Sequence, residues 1–341
     1  MLTRYFREAL LRLNPWLTPA QIGEAQRTLE HRLSTASLLQ LNEEKYFLIR
    51  DGIPVTVKKP GGKTEEKKAA VIDFQNPDNN HFLAIKELKI HGDLYRRRTD
   101  IVGFVNGIPL LFIELKKNTV DVQDAYTNNY TDYLDTIPHL FYYNAFLILS
   151  NGVEAKVGTL GSKYAFFHEW KRLSEQEQGS VALETMLRGI CKKENFLDLL
   201  ENFILFDHSG GHTAKILARN HQYLGVNEAI KAYETRKLNN GKLGVFWHTQ
   251  GSGKSLTMVM LAKYILMELS DCNPKVVVVT DRKELDRQIA ATFAHTRLNP
   301  ARATSGRNLV ELLNSGKADV VTTIINKINT AENMEHKNFS R

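Results

Sequence analysis

Residues 248–255 read HTQGSGKS and sit between an apolar run, LGVFW at 243–247, and a stretch with helical apolar spacing, LTMVMLAKYILMEL at 256–269. A glycine-rich turn between strand and helix aims backbone N–H groups at an anion and adds the positive end of the helix. It needs one Lys to neutralise phosphate and one hydroxyl to hold magnesium. Gly251, Ser252, Gly253, Lys254 and Ser255 supply those parts, so ATP is the expected ligand, although His248 stands where the strict pattern has glycine. Such a loop commits the chain after it to a parallel α/β layer. The order there is helix, strand KVVVV at 275–279, helix at 282–294 and strand DVVTTI at 319–324.

At 341 residues the chain exceeds one ordinary core, and two domains of roughly 150 residues each are expected. Hydrophobic residues make up 43% and charged residues 24%, the balance of a globular protein rather than a disordered one. The net charge of +7 favours a polyanionic partner through phosphate neutralisation. Cys191 and Cys272 are the only cysteines and have no ligand spacing, so neither a disulfide framework nor a zinc site is suggested, and a reducing cytoplasm fits. The opening MLTRYFREALLRLNPWL is amphipathic, but Glu8 interrupts any signal-type apolar stretch. No run approaches the roughly 18 apolar residues of a membrane span, so no membrane partner is expected.

The apolar spacing divides the chain into a first domain at 1–170, a helical linker at 171–213 and a second domain at 214–341. Residues 1–41 predict two short helices, the second capped at Thr18-Pro19. From 46 to 117 the runs YFLI, IPVTV, AAVIDF, HFLAIKELKI, DIVGFV and IPLLFIEL predict strands, with KKPGGKTEEKK at 58–68 as a polar hairpin tip. Residues 118–136 predict helix, and LFYYNAFLILSNG a strand entering a turn. The linker carries amphipathic stretches at 181–191 and 195–206 and ends in HSGGHT, whose paired glycines suit a hinge. The fold class is therefore α/β.

Within the first domain, Asp100, Glu114 and Lys116 are the residue types that metal-dependent phosphodiester cleavage requires: carboxylates for a hard cation such as Mg2+, and an ammonium. Glu114 and Lys116 are two apart on an apolar strand and share a face. Asp100 joins them only if the hairpin is out of simple register. A two-residue Asn106-Gly107 turn pairs Asp100 with Ile113 on the wrong face, whereas a three-residue Val105-Asn106-Gly107 loop with a bulged Gly107 brings Asp100, Phe112, Glu114 and Lys116 together. The bulged turn is expected. Glu87 either completes the metal shell or is an exposed carboxylate. Arg96, Arg97, Arg98 and Lys117 either meet DNA phosphates or form solvated charge.

The run RRRTDIVGFVNGIPLLFIELKK, followed by DAYTNNYTDYLDTIPHLFYYNAFLILSNG, resembles the nuclease domain of the motor (restriction) subunit of type I restriction-modification enzymes. That resemblance implies a PD-(D/E)xK nuclease domain with a mixed sheet, with Asp100 and Glu114 as metal ligands and Lys116 as catalytic lysine. The family's Gln-x-x-x-Tyr pattern falls on Asn129 and Tyr133, with Asn in place of Gln. FWHTQGSGKS is similar to the first motif of the same motors, which are superfamily 2 helicases. VVVVTDRKELDRQI, with Asp281, Arg282 and Gln288, resembles the next motif, and Gln222 sits where these motors carry an adenine-reading glutamine. The family implies a first RecA-like domain, double-stranded DNA as substrate, ATP-driven DNA translocation, and methyltransferase and specificity subunits as partners. No acidic Asp-Glu-x-His-type box comes after the loop, so the chain is expected to bind ATP without turning it over at a useful rate. A stand-alone repair or defence nuclease-helicase and a non-catalytic DNA-binding scaffold are the rival readings.

Overall fold

The computed structural model describes residues 1–32, 35–59, 62–269, 273–316 and 318–331. Cys272 and, in the 58–68 tip, Pro60 and Gly61 lie outside the described residues. The chain divides into two compact units, Met1–Ile204 with Thr213–Asn220, and Leu205–His212 with His221–Arg341.

The first unit opens with three helices, α1 (Thr3–Leu13), α2 (Pro19–Glu30) and α3 (Leu38–Asp51). The YFLI run at 46–49, expected as a strand, lies inside α3. A capping box at Ser37 and Gln40 starts that helix, and Leu41, Tyr46 and Ile49 bury one side of it, so helical spacing overrides the local β-type composition. β1 (Ile53–Lys58) and β2 (Thr64–Ala69) form an antiparallel hairpin; of AAVIDF only Ala69 is in a strand.

A five-stranded mixed sheet comes next. β3 (Phe82–Lys86) is separated from the rest of that sheet by a small hairpin, β4 (Lys89–His91) and β5 (Arg96–Arg98). Then come β6 (Ile101–Val105), β7 (Ile108–Leu115), β8 (Phe146–Ser150) and β9 (Ala155–Gly158), in the order β3-β6-β7-β8-β9. Only the β7–β8 pair is parallel. Between these two strands the chain crosses one face of the sheet as a π-helical turn, Ala125–Tyr130, continued by α4 (Thr131–Thr136). Val122, Tyr130, Tyr133 and Phe141 from this crossover pack on Val102, Phe104, Phe112, Leu147 and Leu149 of the sheet. Phe112 therefore faces the crossover, and so does Glu114 two residues on.

Helices α5 (Leu183–Ile190) and α6 (Lys193–Asn202), expected in a linker, pack within the first unit. Phe196 meets Phe146 with ring centroids 5.2 Å apart, and the Tyr46 hydroxyl donates to the Leu200 carbonyl at 2.9 Å. Gly189 lies so close to the buried Trp170 indole that any Cβ would collide with it. Gly189→Ala should therefore destabilise the protein by about 1–3 kcal/mol, read as a lowered urea midpoint with unchanged slope. The segment reads as a linker from polarity alone because KRLSEQEQGS precedes two helices whose apolar faces are buried.

Strand β10 (Ile204–Asp207), β11 (Ala214–Leu217) and helix α7 (Asn220–Glu234) lead toward the glycine-rich loop at 248–255. The second unit then runs through α8 (Lys254–Glu268), β12 (Val276–Thr280), α9 (Lys283–His295), β13 (Ala301–Arg302), α10 (Gly306–Asn314) and β14 (Val320–Ile324). The three strands form a parallel sheet in the order β12-β14-β13, with β14 buried along its length. The expected strand LGVFW at 243–247 is not formed. Val245 is 88% and Trp247 92% exposed, and among the described residues no strand pairs with it to supply a ladder.

Candidate active site

The β6–β7 hairpin turns at Asn106-Gly107, both in the left-handed region (φ 49° and 78°), with Val105 opposite Ile108. This is a two-residue turn, not the expected three-residue loop. The register slips further along, between Gly103 and Phe104, where Leu110 is the extra residue: Phe104 pairs with Pro109 but Gly103 with Leu111. The displaced bulge achieves what the bulged turn was expected to do. From Ile101 opposite Ile113, the next pair outward is Asp100 opposite Glu114. Asn-Gly prefers the tight turn with two positive φ angles, so the irregularity moves into the strand beside a residue without a side chain.

Glu114 is 2% exposed, on the same face as Phe112 and beneath the crossover. Its Oε2 is buried and has no hydrogen-bond partner. Burial, reinforced by the Asp100 charge and opposed by Lys116, pushes its carboxyl up to about 8. Asp100 Oδ2 accepts from the Leu115 amide at 2.7 Å, which fixes the acid across the strand end. Lys116 continues the parallel ladder, its amide donating to the Ser150 carbonyl at 2.8 Å.

Beyond Lys116 the polar contacts form a chain. The Lys116 ammonium donates to Asn129 Oδ1. Asn129 Nδ2 lies 3.4 Å from the Tyr133 hydroxyl, which donates to the Arg98 carbonyl at 3.1 Å. Asn129 sits in the π-helical turn and Tyr133 in α4, its ring packed edge-on to Phe112 at 5.8 Å. Lys116, Asn129 and Tyr133 thus form one hydrogen-bonded chain, and Glu114 lies beside it, near enough for the Asp100 and Lys116 charges to act on its carboxyl.

Others fall elsewhere. Glu87 has a positive φ (53°) between β3 and β4; its amide donates to the Asp100 carbonyl at 2.8 Å, but its carboxylate is exposed and meets Arg98 at 3.6 Å. Arg97 makes two bonds to Asp132, at 2.5 and 2.8 Å, and lies 5.0 Å over the Tyr95 ring. This pairing holds the Asp132 carboxyl below its usual range. Asp132 is not foreseeable in the sequence, since no spacing links it to Arg97. Arg96, Arg98 and Lys117 are exposed. Among the described residues, no three His, Cys, Asp or Glu side chains are grouped to hold a metal.

In the second unit Gly251 (φ 80°) and Gly253 (φ 88°) take left-handed conformations that shape the glycine-rich loop at the start of α8. The Lys254 ammonium folds back to the His248 and Thr249 carbonyls at 2.6 and 3.0 Å, and Ser252 Oγ donates to the Thr249 carbonyl at 2.8 Å. Ser255 is partly buried in the first turn of α8. Gln222 is buried, and its Nε2 donates to the Gly253 carbonyl at 3.1 Å. Its neighbour His221, which no sequence pattern marks, contacts the Ser252 carbonyl at 3.1 Å through Nε2. Both hold the loop from α7.

Two family models match the chain in order. Residues 1–166 match the type I restriction enzyme R protein N terminus, and residues 221–341 match the SWI2/SNF2 ATPase. The chain is 36% identical over 300 residues to the type I restriction enzyme HindI endonuclease subunit of Haemophilus influenzae, covering 84% of this chain and 28% of that protein. A Methanocaldococcus jannaschii relative that carries the name MjaIXP endonuclease subunit is 28% identical, over 99% of this chain and 34% of its own length. The Staphylococcus aureus SauMSSORF170P endonuclease subunit is 25% identical over 84% of this chain and 30% of its own. The chain spans about a third of the length of these relatives or less.

Proposed function

This chain belongs to the family of type I restriction enzyme endonuclease subunits, and from that premise we propose that it carries the subunit's DNA-cutting site and the loop that grips its nucleotide. The proposed reaction is Mg2+-dependent endonucleolytic cleavage of double-stranded DNA, coupled in the complete enzyme to ATP-driven translocation. It is proposed to work in the cytoplasm with methyltransferase and specificity subunits. Cys191 carries a free thiol, and among the described residues no helix is long and apolar enough to cross a membrane.

The observation that carries this reading is the buried, unpartnered Glu114 oxygen opposite Asp100 and two residues from Lys116. A carboxylate kept under a helix with no donor is costly unless something else occupies that oxygen. Mg2+ fits, because it takes one or two carboxylates and completes its shell with water and substrate oxygens, so a third acidic ligand is not required. Asp100 and Glu114 would hold it, while Glu87 remains with Arg98. Such an ion supplies a more acidic water and offsets charge on the phosphate. Lys116, aimed by Asn129 and Tyr133, offers an ammonium to the same phosphate. Arg96, Arg98 and Lys117 are placed for backbone phosphates, and Arg97 braces their strand through Asp132. The mixed sheet with its helical crossover supports the PD-(D/E)xK fold family.

For the second unit, the parallel sheet and the loop preceding α8 support a RecA-like ATP-binding domain. Gly251, Ser252, Gly253 and Lys254 are assigned to the phosphates, Ser255 to the magnesium, and Gln222 to the nucleotide end next to the loop. Lys254→Ala should weaken binding of a fluorescent ATP analogue by about 10- to 100-fold, the loss of a charge-assisted bond, with the melting temperature unchanged. Equal affinity in the two proteins removes the nucleotide assignment. The cleavage assignment is tested by plasmid nicking with Mg2+ against EDTA: nicking that persists in EDTA sinks it.

A further inference from the structure

The small hairpin β4–β5 carries a charge pattern that its own folding does not explain. Its register sets Lys89 opposite Arg98 and His91 opposite Arg96. All four side chains are exposed, and alternation puts them on one face. Lys89 and Arg98, two cations directly across the strand pair, repel and weaken it. The opposite face does the structural work. Ile90 packs against the core cluster, Arg97 is clasped by Asp132 of α4, and Gly92 sits so close to the Thr136 carbonyl that no side chain would fit. The hairpin is thus held rigidly from behind, with a basic plate in front.

Its tip is equally unsuited to a free surface. Leu94 is 86% and Tyr95 52% exposed, with the Tyr95 ring steadied by Arg97. Its base is the candidate cutting site itself: the Thr99 amide bonds the Leu88 carbonyl at 3.0 Å, the Glu87 amide bonds the Asp100 carbonyl at 2.8 Å, and Asp100 follows Arg98 by two residues. The acids beside the plate are Glu87, paired with Arg98 at 3.6 Å between two exposed side chains, a contact that a phosphate readily replaces, and Asp93 at the hairpin tip, which lines one pocket with His91, Asp135 and Glu30.

We propose that the β4–β5 hairpin seats duplex DNA on the cutting site, with Lys89, His91, Arg96 and Arg98 on the backbone phosphates and Leu94 and Tyr95 entering the groove beside them. The two rungs of the plate lie about 7 Å apart along the strands, so long side chains on both reach neighbouring phosphates. This rests on reading Asp100, Glu114 and Lys116 as a DNA-cleaving centre. It adds Lys89, His91, Leu94 and Tyr95 as substrate-positioning residues.

The test is fluorescence anisotropy of a short labelled duplex with this chain in EDTA, where no cutting occurs, across a salt series. The double variant Lys89→Ala/Arg98→Ala should lower the slope of log affinity against log salt by about 0.9 for each phosphate left without its cation. Tyr95→Ser should weaken binding about fivefold or more at unchanged slope. Binding is read in EDTA and cleavage in a separate assay with Mg2+, so a failure of the nuclease reading appears only in the cleavage assay. All these positions are exposed, and matching melting curves establish that the variants fold. A parent-like slope in the double variant, parent affinity in Tyr95→Ser, or no binding by the parent chain at low salt overturns the proposal.

Discussion

Lys116→Ala is expected to reduce Mg2+-dependent nicking of plasmid DNA by at least about 100-fold while leaving the duplex affinity measured in EDTA nearly intact. The reason lies in how the ammonium is held. Lys116 continues a buried parallel strand, and its side chain ends on Asn129, which in turn touches the hydroxyl of Tyr133. The ammonium is thus positioned by neutral amide and hydroxyl dipoles, and in the proposed reaction it is offered to the phosphate. Lys116→Arg should not restore activity, because a planar fork cannot sit on a single amide oxygen as a point charge does. Asn129→Ala should cost less than Lys116→Ala, since it loosens the lysine without removing it. If the alanine variant at 116 nicks at the parent rate, the lysine has no part in the chemistry.

Much of this site is legible in the residues alone, and its hidden parts have physical causes. Side chains two apart on a strand share a face, so Glu114 and Lys116 are certain companions. Asp100 requires knowledge of the register, and the sequence offers two registers with opposite outcomes. Asn106-Gly107 is a strong two-residue turn signal, and the structure obeys it; what no pattern announces is the slip at Gly103 and Leu110 that restores the acid to the right face. A bulge costs little where one partner is glycine, and it is stabilised by burying Phe112 under the crossover rather than by anything local. The same tertiary dependence explains two of the misread elements. YFLI is helical because capping and three-to-four spacing extend across it, and LGVFW stays unpaired because a strand exists only with a neighbour to bond. The basic plate of β4–β5 is equally hidden: RRR is visible in the sequence, but Lys89 and His91 acquire meaning only through the pairing that sets them across from it.

The second large effect concerns protons. The Glu114 carboxyl is pushed from 4.5 up to about 8, chiefly by burial and then by the Asp100 charge. Its folded value therefore lies above its unfolded one. The native state holds this proton more tightly, and the stabilisation is complete below about pH 4.5 and lost as pH rises through about 8. Glu114→Gln keeps the shape and removes the ionisation. In metal-free buffer the Gln variant should melt above the parent at about pH 9, by on the order of 5 kcal/mol or about ten degrees, and the gap should close near about pH 5. Adding Mg2+ reverses the order. A cation must find the carboxylate deprotonated, so binding at about pH 7 should release close to one proton per ion, measurable by calorimetry in buffers of different ionisation enthalpy. The parent then gains stability with metal concentration while the Gln variant does not. Superimposable melting of the two proteins at high pH, or metal binding without proton release, would mean that the acid beneath the crossover is an ordinary core residue and that no ion is gripped there.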